Sequence, residues 1–110
     1  MTVDDIKNTI NSVFNQNGEM PVNDFLFGVF EDLPNKRGVC LIKSKWFIYE
    51  SDERNVKSIS GPFNDGDIIY ACAKMLHKSK YFEKYRFSNE AKSIYIHSHY
   101  RSVKEAEESL

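Results

Sequence analysis

No apolar run in this chain approaches the roughly 20 residues that a membrane-spanning helix needs. Its first residues, Thr2-Val3-Asp4-Asp5, are acidic where a secretory signal is basic and then apolar. There is no Cys-x-x-Cys pair, no phosphate-cradling glycine loop and no nucleophile elbow. Internal repeats and low-complexity tracts are also missing. Cysteine is scarce, with Cys40 between Val39 and Leu41 and Cys72 between two alanines. In such apolar surroundings a free thiol behaves as a small buried hydrophobe, so neither a disulfide nor a nucleophile is expected. These absences predict a cytoplasmic protein that is not an enzyme, carries no cofactor or metal and has no membrane partner.

What the chain does contain is apolar and aromatic material in proportion to its size. Its 110 residues are 41% hydrophobic and 14% aromatic, too apolar for a disordered chain and enough for one core, so a single domain over 1–110 is expected. The net charge is −1 but unevenly distributed. Residues 1–33 hold six carboxylates against Lys7, whereas residues 74–101 hold seven cations against Glu83 and Glu90. Such a polarity can steer a charged partner, and it also describes two ordinary solvated faces.

Periodicity places the elements. Thr2-x-x-Asp5 has the form of a capping box, and Ile6, Ile10, Val13 and Phe14 share one helical face until Asn17-Gly18. Met20-Pro21 breaks the chain, and Phe25–Phe30 has the character of a buried strand. After the turn at Leu33–Gly38 come two strands, Val39–Ile42 and Trp46–Tyr49, and then an alternating strand at Val56–Ile59 that Gly61-Pro62 should end. Together these predict an antiparallel meander of four strands. Asn64 or Asp65 caps the next helix, whose apolar face runs from Ile68 to Leu76. Residues 77–90 suggest one helical turn and a loop. From Lys92 the period becomes two, predicting a fifth strand, and Ser102-x-x-Glu105 opens a last short helix. The expected fold is α+β, in the order α-β-β-β-β-α-β-α, with helices on one face of an antiparallel sheet of four to five strands.

Four groups of residues invite a chemical reading. On a strand, His97 and His99 would share a face and offer two imidazoles to zinc, but His77 is distant and no third ligand completes a known spacing. The same pair could act as acid and base in a small nuclease with Lys92 or Arg101 on phosphate, although nothing defines a pocket. Lys78, Lys80, Lys84 and Arg86 interleave with Tyr81, Phe82 and Tyr85, which suits phosphates and bases, yet the chain is slightly acidic (pI ≈ 6.3). A nucleic-acid-binding or regulatory module using residues 74–101 is thus the alternative function. Carboxylates gather at Glu50, Asp52 and Glu53, beside Arg54, and again at Glu31-Asp32. The meander would bring both groups to neighbouring strand ends. They are expected to form a partner-binding surface, unless they only decorate a solvated turn.

A Trp46-x-x-Tyr49-Glu50 strand, an Asp52-Glu53-Arg54 turn, a further strand, then Phe63 and a capped helix with Ala71 and Ala73 resembles the small immunity proteins of bacterial polymorphic and contact-dependent growth inhibition toxin systems. Those families usually place glycine after the arginine. Here Asn55 stands there, and asparagine also tolerates positive φ. The resemblance covers about a third of the chain. It implies a cytosolic non-enzyme that neutralises one cognate toxin domain, such as a basic nuclease, by tight binding, often over the toxin's active site. Monomer and dimer are both compatible with an exposed edge strand.

Overall fold

The computed structural model describes residues 1–20 and 23–110, so Pro21 of the expected Met20-Pro21 break lies outside the described residues. The described residues form an α+β fold around a five-stranded sheet. The elements are α1 (Val3–Gln16), β1 (Phe25–Phe27), β2 (Arg37–Ile42), β3 (Lys45–Ser51), β4 (Lys57–Phe63), α2 (Asp65–Met75), a 3₁₀ segment (Ser79–Tyr85), α3 (Asn89–His97), β5 (His99–Tyr100) and α4 (Val103–Glu108). The strands lie in sequence order across the sheet. β1 runs parallel to β2, however, and only the remaining pairs are antiparallel. The expected all-antiparallel meander is therefore corrected to a mixed sheet. Gly28 ends β1 at φ +82, and the chain from Gly28 to Lys36 returns to start β2 alongside it. That return is anchored by the Phe30 ring, 4.8 Å from the Tyr49 ring, and by the Ser51 hydroxyl, which donates to the Leu33 carbonyl at 2.7 Å.

The capping signals act as the sequence predicts. The Thr2 hydroxyl accepts the Asp5 N–H at 3.2 Å while the Asp5 carboxylate accepts the Thr2 N–H at 2.8 Å, closing the capping box. α1 and α2 both end in a Schellman turn. Glu19 N–H reaches the Phe14 carbonyl at 2.9 Å, and Lys78 N–H reaches that of Ala73 at 3.0 Å. The left-handed residue is Gly18 (φ +70) in the first and His77 (φ +59) in the second.

Both faces of the sheet are buried, and helices cover both. Val39, Trp46, Ile48 and Phe63 pack with α1, α2 and α3 on one side. Cys40, Ile42, Phe47, Tyr49 and Ile59 form the other side, closed by Ala106 and Val103 of α4. One-sided packing is thus corrected. The cause is visible in the run Trp46-Phe47-Ile48-Tyr49, apolar at every position, because a strand buried on both faces cannot alternate with polar residues. Phe47 is fully buried, and its truncation to alanine would cost about 3–5 kcal/mol.

Two further corrections concern local signals. Gly61-Pro62 lies inside β4 rather than ending it, at a bulge where the register against β3 shifts between Trp46 and Ile48. A bulge accommodates proline, and glycine is required because a Cβ at Gly61 would lie 2.5 Å from the Phe47 ring. The fifth strand shrinks to His99–Tyr100, while residues 89–97 are helical. Ser88 accounts for this, since its hydroxyl accepts the Ala91 N–H at 3.1 Å as an N-cap. Ala91, Ile94 and Tyr95 then lie at i, i+3 and i+4 against the α2 side of the core.

The hairpin between β2 and β3 turns through Lys43 (φ +50) and Ser44 (φ +62), both left-handed. Asn-Gly suits that two-residue turn better, each L-residue in this region costing about 1–2 kcal/mol. The double change Lys43→Asn/Ser44→Gly should stabilise the protein by about 1 kcal/mol, read as a higher urea midpoint at unchanged slope. Burial pushes the Cys40 thiol up to about 12 and raises Cys72 as well. Both should therefore resist a thiol reagent in the native protein and react fully in denaturant.

Candidate functional site

The carboxylates singled out in the sequence divide between two places. Asp32, Asp52 and the turn from β3 to β4 meet at one corner. Asp52 shapes that turn: its Oδ1 accepts the N–H groups of Arg54 and Val56, both at 2.9 Å. Its carbonyl accepts the N–H groups of Asn55 (3.0 Å) and Asn35 (3.1 Å), joining the turn to the returning chain. Asn55 is left-handed at φ +59, the conformation that glycine would supply. The Asn55 amide donates to Asp32 Oδ1 at 3.0 Å, and the Lys57 ammonium meets the same oxygen at 2.7 Å. Glu31 pairs with Lys36 at 3.4 Å. Glu53 and Arg54 stand exposed at the tip, with no side-chain hydrogen bond or ion pair among the described residues. The corner thus holds four carboxylates and three cations on a backbone held by hydrogen bonds. It is nearly balanced in charge rather than strongly acidic.

Glu50 belongs elsewhere. It follows Ile48 on the α-helical side of β3, whereas Ser51 points to the side crossed by residues 28–36. There Glu50 borders a groove of about 330 Å³ with His77, Tyr95 and His99. Asp52, beyond the end of β3, instead turns its carboxylate to the backbone of the turn.

The histidines do not form the shared strand face either. His97 is the last residue of α3, and His99 lies in β5 with Nδ1 2.9 Å from Ser60 Oγ and 3.1 Å from Ser58 Oγ. Among the described residues no cluster of three His, Cys, Asp or Glu side chains is placed to hold a metal ion. The basic and aromatic segment is likewise divided. Phe82 is fully buried, and Tyr81 and Tyr85 are partly buried against the core. Lys78 pairs with Glu19 at 3.0 Å, while Lys80 and Lys84 lie over the rings of Tyr81 and Tyr85. Arg86 instead points into a separate groove with Lys74 and Lys92.

Two residues of the α2 cap carry more structure than their sequence suggested. Asn64 is the N-cap, accepting the Asp67 N–H at 3.0 Å, which frees Asp65 to accept the Trp46 indole N–H at 2.7 Å. Asp67, buried at 5% exposure, accepts both the backbone N–H and the hydroxyl of Ser88 at 3.0 Å. Ser88, the start of α3, had an available signal in its position three residues before Ala91 and next to Asn89-Glu90, where an N-cap and an acidic first turn belong.

The corner's ion pair has a pH signature. The Lys57 ammonium, then the Asn55 amide, hold the Asp32 carboxyl below its ordinary value. A lowered folded-state value stabilises the fold above the unfolded value, about 3.9, and the contribution is lost as pH falls through the folded one. A ¹³C titration of the Asp32 carboxyl should give a midpoint under about 3.9, and Lys57→Met should raise it. An unshifted wild-type midpoint would show that the pair does not persist in solution.

No helix among the described residues is long and apolar enough to cross a membrane. No protein-family model matches the chain, and neither the curated proteins nor the solved structures include a significant match to it.

Proposed function

We propose that this chain is an immunity protein that binds and neutralises a cognate bacterial toxin domain in the cytoplasm. The observation that carries the reading is the corner between β3 and β4. Asp52 holds its backbone, Asn55 and Lys57 tie it to Asp32, and Glu53 and Arg54 remain exposed without partners at its tip. A protein that recognises one partner benefits from a pre-organised loop, because ordering costs are met on folding rather than on binding. Opposite charges at fixed positions confer specificity more than raw affinity, as discrimination among related toxins requires.

The residues behind the resemblance pack on both faces of the sheet that carries that corner. Trp46 bonds to Asp65 at the start of α2, Tyr49 donates to the Val29 carbonyl, and Phe63, Ala71 and Ala73 are buried against the same sheet. These residues serve as scaffold, and the exposed tip is the part free to meet a partner. Glu31 and Asp32, both already paired with lysines, flank the contact. Glu50 lies outside it.

The test uses the toxin domain encoded beside this chain. Co-expression should protect cells from that domain, and the double reversal Glu53→Arg/Arg54→Glu should weaken capture at least about tenfold, ~1.4 kcal/mol, with circular dichroism unchanged. Reversing Asp52 is less informative, since it would also release the turn. Absence of protection would defeat the immunity reading. Protection with unchanged affinity in the double variant would move the interface away from the corner.

A further inference from the structure

The groove between α2 and α3 carries features that the corner does not explain. Tyr70 and Lys74, four residues apart on α2, form one wall, and Lys92 and Tyr95, three apart on α3, form the other. Arg86 and Phe87 supply the floor between them. The groove encloses about 480 Å³, within the range of small-molecule sites. Its aromatic floor is ordered by packing: Phe87 stacks on Phe63 at 5.9 Å and meets Tyr70 at 4.8 Å and Tyr95 at 5.7 Å. Among the described residues no carboxylate pairs with Lys74, Arg86 or Lys92, and neither the Tyr70 nor the Tyr95 hydroxyl has a hydrogen-bond partner.

We propose that this groove binds a phosphorylated nucleoside, with the phosphate held by Lys74, Arg86 and Lys92 and the base lying against Tyr70 and Tyr95. Three cations lining one groove exceed what a carboxylate would neutralise and match a phosphate monoester carrying about −1.5 to −2 charges near pH 7. Arg86 presents a planar donor fork suited to phosphate oxygens, and the two lysines act as point charges. Tyr70 and Tyr95 are partly buried against the core, with Lys74 Nζ over the Tyr70 ring at 5.8 Å. The ring surface they leave exposed can contact a base, and their free hydroxyls offer partners to its polar edge. The ligand is a single nucleotide rather than a strand, because the next cations along the chain are committed elsewhere. Lys78 is paired with Glu19, and Lys84 borders α1 with Tyr85 on a different surface. This site stands independently of the toxin reading, since it shares no residue with the corner.

The experiment titrates the full chain with the 5′-monophosphates of adenosine, guanosine, cytidine and uridine, followed by calorimetry and amide NMR. At least one should saturate at millimolar concentration or below, shifting the amides of Tyr70, Phe87 and Tyr95. The parent nucleoside and inorganic phosphate should each bind at least about tenfold more weakly. Arg86→Glu/Lys92→Glu, two exposed positions, should lower the affinity at least about tenfold with an unchanged circular dichroism spectrum, whereas Glu53→Arg/Arg54→Glu should leave it intact. The proposal is overturned if none of the four saturates by about 10 mM. It is equally overturned if inorganic phosphate binds as well as the nucleotide, if the Arg86/Lys92 reversal has no effect, or if a single-stranded RNA oligomer binds more than tenfold tighter than its monomer.

Discussion

Asp67 is a buried carboxylate whose two oxygens both serve Ser88, one taking its backbone N–H and the other its hydroxyl. A carboxylate taken out of water costs several kcal/mol unless it is hydrogen-bonded, and hydrogen bonds to a charged group return about 1.5–3 kcal/mol each. The position helps, because the first turn of α2 carries the positive end of the helix dipole. Two residues earlier, Asp65 takes the Trp46 indole N–H and meets the N-terminal ammonium at 3.3 Å, interactions that hold its own carboxyl below the usual range. One helical turn therefore joins the central strand, the start of the chain and the start of α3. The groove between α2 and α3 depends on it directly, since Ser88 determines where Lys92 and Tyr95 emerge.

At the other end of β3 the same economy of means operates through Asp52. A short polar side chain that accepts two backbone N–H groups replaces the packing that a surface turn lacks. Because Asp52 is occupied with the backbone, it contributes geometry to the corner rather than a free charge for a partner. The lysines at 36 and 57 further offset Glu31 and Asp32. Carboxylates that look like one acidic patch in the sequence thus become a shaped surface with a single unpaired Glu-Arg tip.

Much of this fold was legible in the sequence because local chemistry determined it. The Thr2 capping box, the Asn64 cap, the stripe from Ile6 to Phe14 and the burial of both cysteines each follow from residues within one or two turns. The missed features depend on partners far away in the chain. Ser88 starts a helix whose inner face needs the α2 side of the core. The alternation of Ile94, Ile96 and Ser98 imitates a strand only because tyrosine and histidine count as either apolar or polar. The direction of β1 was set by Phe30 and Ser51 anchoring the return, contacts of long range that no period reveals. Gly61-Pro62 reads as a strand end by composition, yet Gly61 leaves room for the Phe47 ring at a bulge through which β4 continues to Phe63. The corner was legible as a turn, whereas the groove that Glu50 borders is built with His77, Tyr95 and His99, residues far from it in the chain.

Strand alternation also separates the surfaces on the two sides of the sheet. Residues 46, 48 and 50 of β3 look toward the helices, while 47, 49 and 51 look toward α4 and the returning chain. The exposed charges of Glu53 and Arg54 lie beyond the strand end, on the turn held by Asp52. The basic groove lies on the helical layer alone, built from α2, Arg86-Phe87 and α3. A rigid shared strand separates them: Tyr49, fully buried with its phenol raised to about 12, fills the layer under the corner, and Ile48 fills the layer toward the helices. Neither side chain can move to transmit a change without opening a close-packed core, which costs several kcal/mol even for one large residue. A change of shape at the groove would therefore have to open that core before it reached the corner.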